Sequence, residues 1–346
     1  MNPQRREFLL SALTATAALG VGRIPGWASA QGQAVAEPPT RDRLGELLPL
    51  RRLGRTEAWV TNLGVGGSHI EHSQSARQAQ ALIEAALEEG VRFFDNAQRY
   101  GYGRSEKLFG QFLTPKYRDA VYLMTKTAAK TRKQAQLDMD GCRKRMGVDT
   151  IDLMQMHHLH HAEDVDQRIR DGVVDVLLEA RERGKIRHLG FTGHDSPSAH
   201  LHMLKRLDEM GVQFDTAQMP VNVVDPGYES FTLQVLPELV KRDYGVIAMK
   251  TLVYGQLLGQ NKGWGRPDRI APPVVPERMS LEEALGFVWS LPVSTLVSGM
   301  PELPMVKQNA GIARAHASLD EAQRQKLIEK AADFAGPRIE FYKTEV

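Results

Sequence analysis

Four side chains that can hold or transfer a proton stand at the ends of three apolar segments. Asp95 and Tyr100 lie in FFDNAQRYGYG, Lys126 in VYLMTKT and His157 in IDLMQMH. An isolated tyrosine, with a pKa of about 10, is a poor proton donor or acceptor at neutral pH. We expect a nearby ammonium to stabilise the phenolate and lower that pKa, with Asp95 holding the ammonium charged. His157 can then hydrogen-bond a substrate oxygen and orient it.

Taken singly, these residues have ordinary explanations. Asp95 could cap the following helix, and Lys126 could be the solvated end of a strand. The GYGRSE stretch lacks the third glycine and the βαβ context of a dinucleotide fingerprint, so Ser105 and Glu106 indicate the start of a helix instead. The chemistry therefore depends on a fold that brings the four residues together.

The segments that carry these residues belong to an alternation that covers most of the chain. Short runs rich in β-branched residues predict strands, and each is followed by an amphipathic segment that predicts a helix. The strands are predicted near Val60–Val65, Val91–Asp95, Val121–Thr125, Ile151–His157, Ile186–Thr192, Thr216–Met219, Gly245–Met249 and Thr295–Ser298. The helices are predicted near Ser75–Glu89, Ser105–Leu113, Thr131–Met146, Val165–Arg183, Ser196–Met210, Phe231–Arg242, Leu281–Ser290 and Glu302–Ala313.

Eight strand–helix units predict parallel strands with crossover helices, and the leading architecture is a single-domain (β/α)8 TIM barrel. A doubly wound open sheet is the alternative, and it calls for a Gly-rich turn directly after the first strand. In a barrel the C-terminal ends of the strands face the active site, so Asp95, Lys126 and His157 are expected to meet there.

Three segments are expected outside the eight units. Arg51–Thr56 carries a glycine turn and predicts a short hairpin under the barrel. Leu252–Ser280 is a long Gly- and Pro-rich connection, of a length that is usually functional or disordered. Leu319–Phe334 is predicted as an extra C-terminal helix packed on the outside. The barrel domain is expected over residues 49–346, after a polar linker over residues 31–48.

Residues 1–30 have the pattern of an export signal. Arg5 and Arg6 precede Phe8, Leu9 and an apolar run, and the segment ends in three small residues, Ala-Ser-Ala. The paired arginines resemble a twin-arginine signal peptide. We therefore expect the twin-arginine export machinery as a partner, cleavage near Ala30 and a periplasmic location in a bacterium. The apolar run falls short of the ~20 residues that span a membrane, so we expect no stable membrane anchor.

The net charge of +2 arises in the same segment, which carries three arginines and one glutamate. The rest of the chain is formally neutral, which gives no support for a nucleic-acid partner. The single cysteine, Cys142, has no internal partner for a disulfide, as suits a protein that folds before export.

A histidine-rich stretch, MQMHHLHHAED, follows the fourth predicted strand. Alternate strand residues face opposite sides, so Ile151, Leu153, Gln155 and His157 share one face and His158 lies on the other. With the first face inside the barrel, His157 reaches the mouth and His158 points away. We therefore predict one functional histidine in this stretch and no metal site.

In order and number, several motifs resemble those of the aldo/keto reductase family. The matching pieces are FDNAQRYGYGRSE, GVDTIDLMQMHH, GKIRHLGFTGH, QMPVN, GVIAMK and SGMPELPMVKQNA, and they span roughly Pro49 to Ala313. The resemblance implies that the four proton-handling residues are the family's catalytic tetrad. Tyr100 is then the general acid in the reduction of an aldehyde or ketone to an alcohol, or the base in the reverse reaction. A bound nicotinamide, NADP or NAD, supplies or accepts the hydride.

The resemblance also implies which residues hold the cofactor. Thr192 stands at the first of three contacts to the nicotinamide amide, and Gly193 replaces the asparagine of the second, which is lost or supplied by His194. Gln218 matches the third contact, and Met249 replaces an aromatic residue that usually stacks on the nicotinamide ring. The other cofactor residues implied are Lys250, Ser298, Gly299, Met300 and Asn309, the last at a position that contacts the adenine.

The family implies NADP, but the segment that usually holds its 2′-phosphate departs from the family pattern. Gly299 and Met305 replace the usual lysine and arginine, Glu302 lies between them, and Lys307 is expected to face elsewhere. A 2′-phosphate without a charge-assisted partner loses selective binding, and a close carboxylate repels it. We expect relaxed or NAD-leaning use. Backbone amides at the start of the Glu302–Ala313 helix could still hold a phosphate.

Two other functions are possible on the same barrel. The family includes nicotinamide-nucleotide-binding subunits that sense cofactor state without turnover, although the intact tetrad argues for an enzyme. A metal-dependent hydrolase would recruit His69, His72, His157–His161 and His194. Such a hydrolase usually carries a His-x-His pair on the first strand, and SHIEH has a different spacing.

Overall fold

The structure of the protein, a computed structural model, describes residues 37–260 and 272–343. The predicted export signal lies outside the described residues, as do residues 31–36 of the predicted linker. The described chain forms a closed barrel of eight parallel strands, which confirms the predicted (β/α)8 architecture. The strands β1 to β8 are Leu63–Gly66, Phe93–Asp95, Tyr122–Thr127, Ile151–Met156, Ile186–Thr192, Thr216–Pro220, Gly245–Met249 and Thr295–Ser298. Strand β8 pairs with β1, through Val297 and Gly64 among others, and closes the barrel.

Helices surround the strands and cover their outward faces. The α-helices α1 to α13 are Gly67–Glu71, Ala76–Glu88, Arg104–Phe112, Thr114–Tyr117, Arg132–Met146, Ala162–Arg170, Val173–Glu182, Pro197–Glu209, Phe231–Gln234, Leu236–Lys241, Leu281–Trp289, Leu303–Ala315 and Glu321–Ala331. Short 3-10 helices cover Gly54–Thr56, Tyr100–Gly103, Arg118–Ala120, Asp225–Gly227, Val253–Leu258 and Ala332–Phe334. Helix α13 is the predicted extra helix. None of the described helices is long and apolar enough to cross a membrane.

Side-chain caps fix where several helices begin. The hydroxyls of Ser75, Thr131 and Ser196 each accept a hydrogen bond from a backbone N–H in the first turn of the helix that follows. Ser280 and Asp320 form complete capping boxes at the starts of α11 and α13. These caps satisfy backbone donors that the helix itself leaves unpaired.

Three predicted elements are each divided in two. The predicted Val165–Arg183 helix becomes α6 and α7, because Gly172 takes a left-handed conformation with φ of 77° between them. The predicted Phe231–Arg242 helix is interrupted before the leucine–proline pair at the start of α10. The first predicted strand divides as well, since Trp59–Thr61 pairs in a hairpin and only Leu63–Gly66 joins the barrel.

The predicted hairpin closes the bottom of the barrel. Leu50–Arg52 pairs antiparallel with Trp59–Thr61. Leu53, between the two strands, is fully buried in a cluster inside the barrel with Val60, Phe93, Met124, Leu153 and Ile247. Gly54 beside it has a φ of 52°, and a β-carbon there would overlap the backbone of Tyr244 and Gly245, so only glycine fits.

The described part of the predicted linker packs on the barrel and differs from a polar spacer. Arg41–Asp42 pairs with Gly45–Glu46 in a second small hairpin. The Asp42 carboxylate accepts hydrogen bonds from the buried Arg92 guanidinium at 2.6 and 2.9 Å. Leu48 is 1% exposed, within the large core between strands and helices. A buried arginine needs a paired carboxylate, which explains why this segment is ordered.

The inward face of β4 follows the predicted alternation at its centre. Leu153 lies in the cluster inside the barrel, whereas Met154 and Met156 pack in the outer core. Gln155 also points inward, and its side-chain amide donates to the Thr216 hydroxyl at 3.3 Å. Ile151, at the start of the strand, packs in the outer core, contrary to the prediction.

Candidate active site

The four proton-handling residues lie together at the C-terminal mouth of the barrel. Asp95 is the last residue of β2, and Tyr100 starts the 3-10 turn that follows it. Lys126 lies near the end of β3, and His157 follows directly after β4. Neighbouring parallel strands end at the same edge, and this places the four side chains within reach of one substrate.

Lys126 is the centre of the group. Its ammonium donates hydrogen bonds to the Asp95 carboxylate, to the Asn96 carbonyl at 2.8 Å and to the Tyr100 hydroxyl at 3.2 Å. The Lys126 and Asp95 side chains are 1% and 3% exposed. Burial lowers the pKa of Lys126 and raises the pKa of Asp95, while their mutual attraction opposes both shifts.

The Tyr100 hydroxyl departs from the expectation in its acidity. Burial raises its pKa well above the ordinary value, and the Asp95 charge adds to the rise. The net shift is therefore opposite to the predicted lowering, because burial of the hydroxyl outweighs the attraction between a phenolate and Lys126. Asp95 neutralises much of the charge of Lys126, and burial disfavours the phenolate. The hydroxyl thus keeps its proton at neutral pH, as a general acid in carbonyl reduction must.

His157 offers a neutral imidazole beside the hydroxyl. Its ring lies edge-on to that of Tyr100, with 6.0 Å between the ring centroids. Burial and the nearby Lys126 charge lower its pKa well below the usual range. Its Nδ1 is buried without a hydrogen-bond partner among the described residues. Hydrogen bonds from the His157 amide to Thr127 and from Arg168 to the His157 carbonyl, both 2.8 Å, fix the backbone here.

Of the residues expected at the nicotinamide amide, Gln218 lies beside Asp95. Gln218, in β6, is 1% exposed; its Nε2 lies 3.5 Å from the Asp95 carboxylate and its Oε1 has no partner among the described residues. Thr192 is buried at the end of β5. A β-carbon on Gly193 would lie 2.7 Å from the Leu159 carbonyl oxygen, so the family's asparagine does not fit. His194 is engaged elsewhere, with its Nδ1 2.8 Å from Asp195.

Met249 and Lys250 follow at the end of β7. Met249 is half-buried at the mouth of the barrel. Lys250 has a φ of 57°, and its ammonium lies 3.6 Å above the centre of the Tyr254 ring. Burial, together with the Lys126 charge, lowers the pKa of Lys250 to about 7. An anionic ligand close to this lysine would favour its charged form.

The late segment forms the other end of the proposed cofactor site. Asn309, in α12, donates a hydrogen bond of 2.9 Å to the hydroxyl of Ser298, the last residue of β8. Met300 is buried. A β-carbon on Gly299 would overlap the His69 ring, so a side chain here requires that ring to move.

The residues around the expected 2′-phosphate position supply little positive charge. Met305 is half-buried and packs against the core. Glu302 is the exposed N-cap residue of α12, and Lys307 is exposed on the same helix. Among the residues that the structure describes, the start of this helix carries the Glu302 carboxylate and has no basic side chain in its first turn.

The residues present fit a nicotinamide. The carboxamide of such a ring needs both donors and acceptors, and the unpartnered Oε1 of Gln218 together with the Thr192 hydroxyl can provide them. Both groups are buried, Gln218 Nε2 lies 3.5 Å from the Asp95 carboxylate, and Thr192 pairs with Gln218 across the neighbouring strands. An orphaned buried amide oxygen is costly, so its position next to the proton-handling residues indicates a polar ligand.

One polar group beside this site was missed by sequence reasoning. Asp195 accepts contacts from three histidines, His158 at 2.8 Å, His160 at 2.6 Å and His194 at 2.8 Å. The contacts join two different loops, since His158 and His160 follow β4 whereas His194 and Asp195 follow β5. The one signal in the sequence is the Thr-Gly-His-Asp stretch at the end of β5, which departs from the family pattern at Gly193.

The barrel carries a buried proton-handling group at its mouth, beside polar groups that fit a nicotinamide. Residues 62–286 match the model of the aldo/keto reductase family. The chain therefore belongs to the aldo/keto reductase family, and this confirms the resemblance of its motifs. All four tetrad positions lie within the matched region.

Individual relatives agree with this membership. The chain is 25% identical over 202 residues to the aldo-keto reductase yakc [NADP(+)] of Schizosaccharomyces pombe, which covers 54% of each chain. It is 31% identical over 184 residues to pyridoxal 4-dehydrogenase of Microbacterium luteolum, covering 40% of this chain and 54% of that protein. The chain thus spans about half the length of these curated relatives.

A solved structure shows the same fold. Aldo-keto reductase AKR11C1 from Bacillus halodurans, in its holo form, superposes with a TM-score of 0.68 at 18% sequence identity. The superposition covers 85% of this chain and 99% of that chain.

Of the histidines proposed for a metal-dependent hydrolase, His158, His160 and His194 converge on Asp195, whereas the others are not part of that group. His72 is exposed and contacts the Ser68 carbonyl at 2.6 Å, within its own turn. Within the described ranges, the group of potential ligands that lie close together is His158, His160 and Asp195, which excludes His69, His72 and His157.

Proposed function

We propose that the protein is an NAD(P)-dependent oxidoreductase that reduces an aldehyde or ketone to an alcohol, or catalyses the reverse oxidation. The observation that carries the proposal is the contact of 3.2 Å between the Lys126 ammonium and the Tyr100 hydroxyl, beside the neutral imidazole of His157. Family membership supports the same chemistry.

In this mechanism the bound nicotinamide supplies the hydride, and the chain supplies the proton and the orientation. Thr192 and Gln218 would hold the amide of a bound nicotinamide. His157 donates a hydrogen bond to the substrate carbonyl oxygen and aims it at Tyr100. Tyr100 gives its proton to that oxygen as negative charge develops there.

Lys126 and Asp95 keep the proton transfer reversible. The Lys126 ammonium, in contact with the hydroxyl, stabilises the phenolate left after the proton departs. Asp95 and the Asn96 carbonyl hold that ammonium in place. In the oxidation direction the same phenolate takes the proton back from an alcohol.

For the cofactor we propose relaxed or NAD-leaning use. The exposed carboxylate of Glu302 and the apolar Met305 support it, because neither can pair with a 2′-phosphate. The S. pombe relative is named for NADP(+), so the two chains are expected to differ at this position. Lys250 is proposed to bind the anionic part of either cofactor.

We also propose that the protein is exported to the bacterial periplasm by the twin-arginine machinery, with cleavage near Ala30. The Arg5-Arg6 pair and the small residues before the cleavage site support it. Cell fractionation of the wild type and of an Arg5→Lys/Arg6→Lys variant tests this. Equal amounts of both chains in the periplasm would contradict twin-arginine export.

The enzymatic proposal is tested by combining binding with turnover. The full chain is titrated with NADH and NADPH, and oxidation of the bound cofactor is followed with a panel of carbonyl probes that includes pyridoxal, the substrate named for one relative. Turnover of at least one probe is expected. Tight cofactor binding without turnover of any carbonyl or alcohol would favour the non-catalytic sensor instead.

A further inference from the structure

A cluster of three imidazoles and one carboxylate lies beside the candidate active site and has no part in its mechanism. His158 and His160 come from the loop after β4, and His194 and Asp195 from the loop after β5. The ring centroid of His158 lies 4.0 Å from that of His160 and 4.4 Å from that of His194. One imidazole would be enough to give the Asp195 carboxylate a hydrogen-bond partner, and here three imidazoles contact it.

We propose that His158, His160 and Asp195 form a binding site for a divalent transition-metal ion at the rim of the candidate active site. The ligand atoms are Nε2 of His158, Nδ1 of His160 and a carboxylate oxygen of Asp195. Three protein ligands leave a tetrahedral position for water.

The spacing of the ligand atoms suits such an ion. The three atoms all lie within 4.8 Å of one another, and the two histidine nitrogens lie 2.8 and 2.6 Å from the Asp195 oxygens. With bonds of about 2.0–2.2 Å, tetrahedral ligands of zinc stand roughly 3–4 Å apart. Small side-chain rotations therefore suffice to admit the ion.

The backbone around the ligands is already fixed. His158 has a φ of 59°, a conformation that residues other than glycine rarely adopt. Its carbonyl accepts a hydrogen bond of 3.0 Å from the buried Arg168, and the His160 amide donates to Asp164 at 3.2 Å. Asp164 and Arg168 also pair with each other. A site that is held before the ion arrives loses little entropy on binding.

His194 acts as a positioning residue for the carboxylate. Its Nδ1 lies 2.8 Å from Asp195 and 3.2 Å from the Tyr342 carbonyl. A third imidazole that holds the ligating carboxylate without binding the metal is typical of the outer partners that orient metal ligands. Removing His194 should weaken metal binding without abolishing it.

The chemistry of the ligands selects the kind of ion. Two imidazoles and one carboxylate suit Zn²⁺, Co²⁺ or Ni²⁺, whereas Mg²⁺ and Ca²⁺ prefer sites built of oxygens. The exposed Arg99 opposes binding, since its guanidinium lies 3.5 Å from Nδ1 of His158. That contact favours a proton on the Nε2 that must bind the metal, and the positive charge repels the ion. Arg99 must therefore turn outward.

The test is a competition titration on the tag-free full chain, stripped of metal with a chelator. Zn²⁺ is titrated against a chromophoric chelator, and Co²⁺ is titrated while its visible absorption is recorded. We expect about one ion per chain, Co²⁺ spectra of a tetrahedral site, and no competition from Mg²⁺. If neither Zn²⁺ nor Co²⁺ binds at about one ion per chain, the proposal is overturned.

Matched variants locate the site. We expect His160→Ala and Asp195→Asn to bind Zn²⁺ at least about tenfold more weakly, His194→Ala to lie between them and the wild type, and Arg99→Gln to bind more tightly. His202→Ala is the control, because His202 pairs with Asp166 at 3.0 Å on a different helix. Unchanged affinity in His160→Ala and Asp195→Asn variants that melt like the wild type would overturn the proposal. Neither readout depends on carbonyl turnover.

Discussion

The Lys126 ammonium lies 3.2 Å from the Tyr100 hydroxyl, yet the pKa of that hydroxyl is raised rather than lowered. Burial of the hydroxyl and the Asp95 charge raise this pKa, and the pairing of the ammonium with Asp95 weakens its attraction for a phenolate without removing it. The Tyr100 hydroxyl is therefore held in its protonated form, ready to donate the proton. The lysine stabilises the product of proton transfer more than the resting hydroxyl.

The Asp95–Lys126 pair makes a prediction about stability. Because both side chains are almost completely buried, Asp95→Asn leaves an uncompensated ammonium in the protein interior. We expect the free energy of unfolding to fall by about 3–5 kcal/mol, measured by urea denaturation. The double variant Asp95→Asn/Lys126→Met removes both charges and should recover part of that loss. A double variant less stable than Asp95→Asn alone would contradict the account of the pair.

His200 predicts how stability depends on pH. It is fully buried between Phe191 and Phe231, and burial lowers its pKa from 6.5 to about 4. The unfolded chain therefore binds more protons than the folded chain between these two pH values. Stability from this residue is complete above pH 6.5 and is lost as the pH falls toward 4, with a slope of up to about 1.4 kcal/mol per pH unit.

Urea denaturation at several pH values in that window measures the slope. His200→Phe keeps an aromatic ring in the same aromatic surroundings and removes the titrating group. We expect a shallower decline in this variant than in the wild type. Equal slopes in the two proteins would show that His200 titrates normally.

Lys250 predicts proton uptake when the cofactor binds. Its pKa of about 7 leaves it largely neutral at pH 8, and a nearby phosphate would raise that pKa. We expect uptake of up to one proton per NADH bound at pH 8, measured by calorimetry in two buffers with different ionisation enthalpies. Lys250→Met should bind NADH more weakly and without this uptake. The same uptake in both proteins would separate Lys250 from the cofactor site.

Met305 predicts a change in cofactor preference. Met305→Arg introduces a guanidinium at the start of α12, where its long stem can reach past the core to solvent. We expect the ratio of NADPH to NADH affinity to rise about tenfold, because a charge-assisted bond to the 2′-phosphate becomes possible. Met305→Leu is the matched control and should leave the ratio unchanged. An unaltered ratio in Met305→Arg would place the 2′-phosphate elsewhere.

Regular patterns made much of the fold predictable. Period-two and helical segments alternate eight times, and each predicted barrel strand has a counterpart in the structure. Because the C-terminal ends of parallel barrel strands all lie at one face, the sequence also predicted that Asp95, Lys126 and His157 come together. Tyr100 joined them through the short turn that follows β2.

Features that depend on distant partners were not predictable. The small hairpin at Arg41–Glu46 is polar, and contacts with distant residues hold it in place, among them the pairing of Asp42 with Arg92 and of Arg43 with Asp119. The helix break at Gly172 depends on one left-handed residue within a continuous apolar pattern. The Tyr100 pKa depends on the balance of burial against a paired charge, which no spacing encodes. The contacts of Asp195 with His158 and His160 join two loops, and the sequence does not show that these loops meet.

The central claim is that Tyr100 donates the proton in carbonyl reduction. The most direct measurement compares kcat for carbonyl-dependent NADH or NADPH oxidation in the wild type and Tyr100→Phe, together with cofactor affinity. We predict that kcat falls by about 10²–10⁴-fold while the cofactor binds as before, since only the hydroxyl is lost. A Tyr100→Phe variant that retains full carbonyl-reducing activity would contradict it.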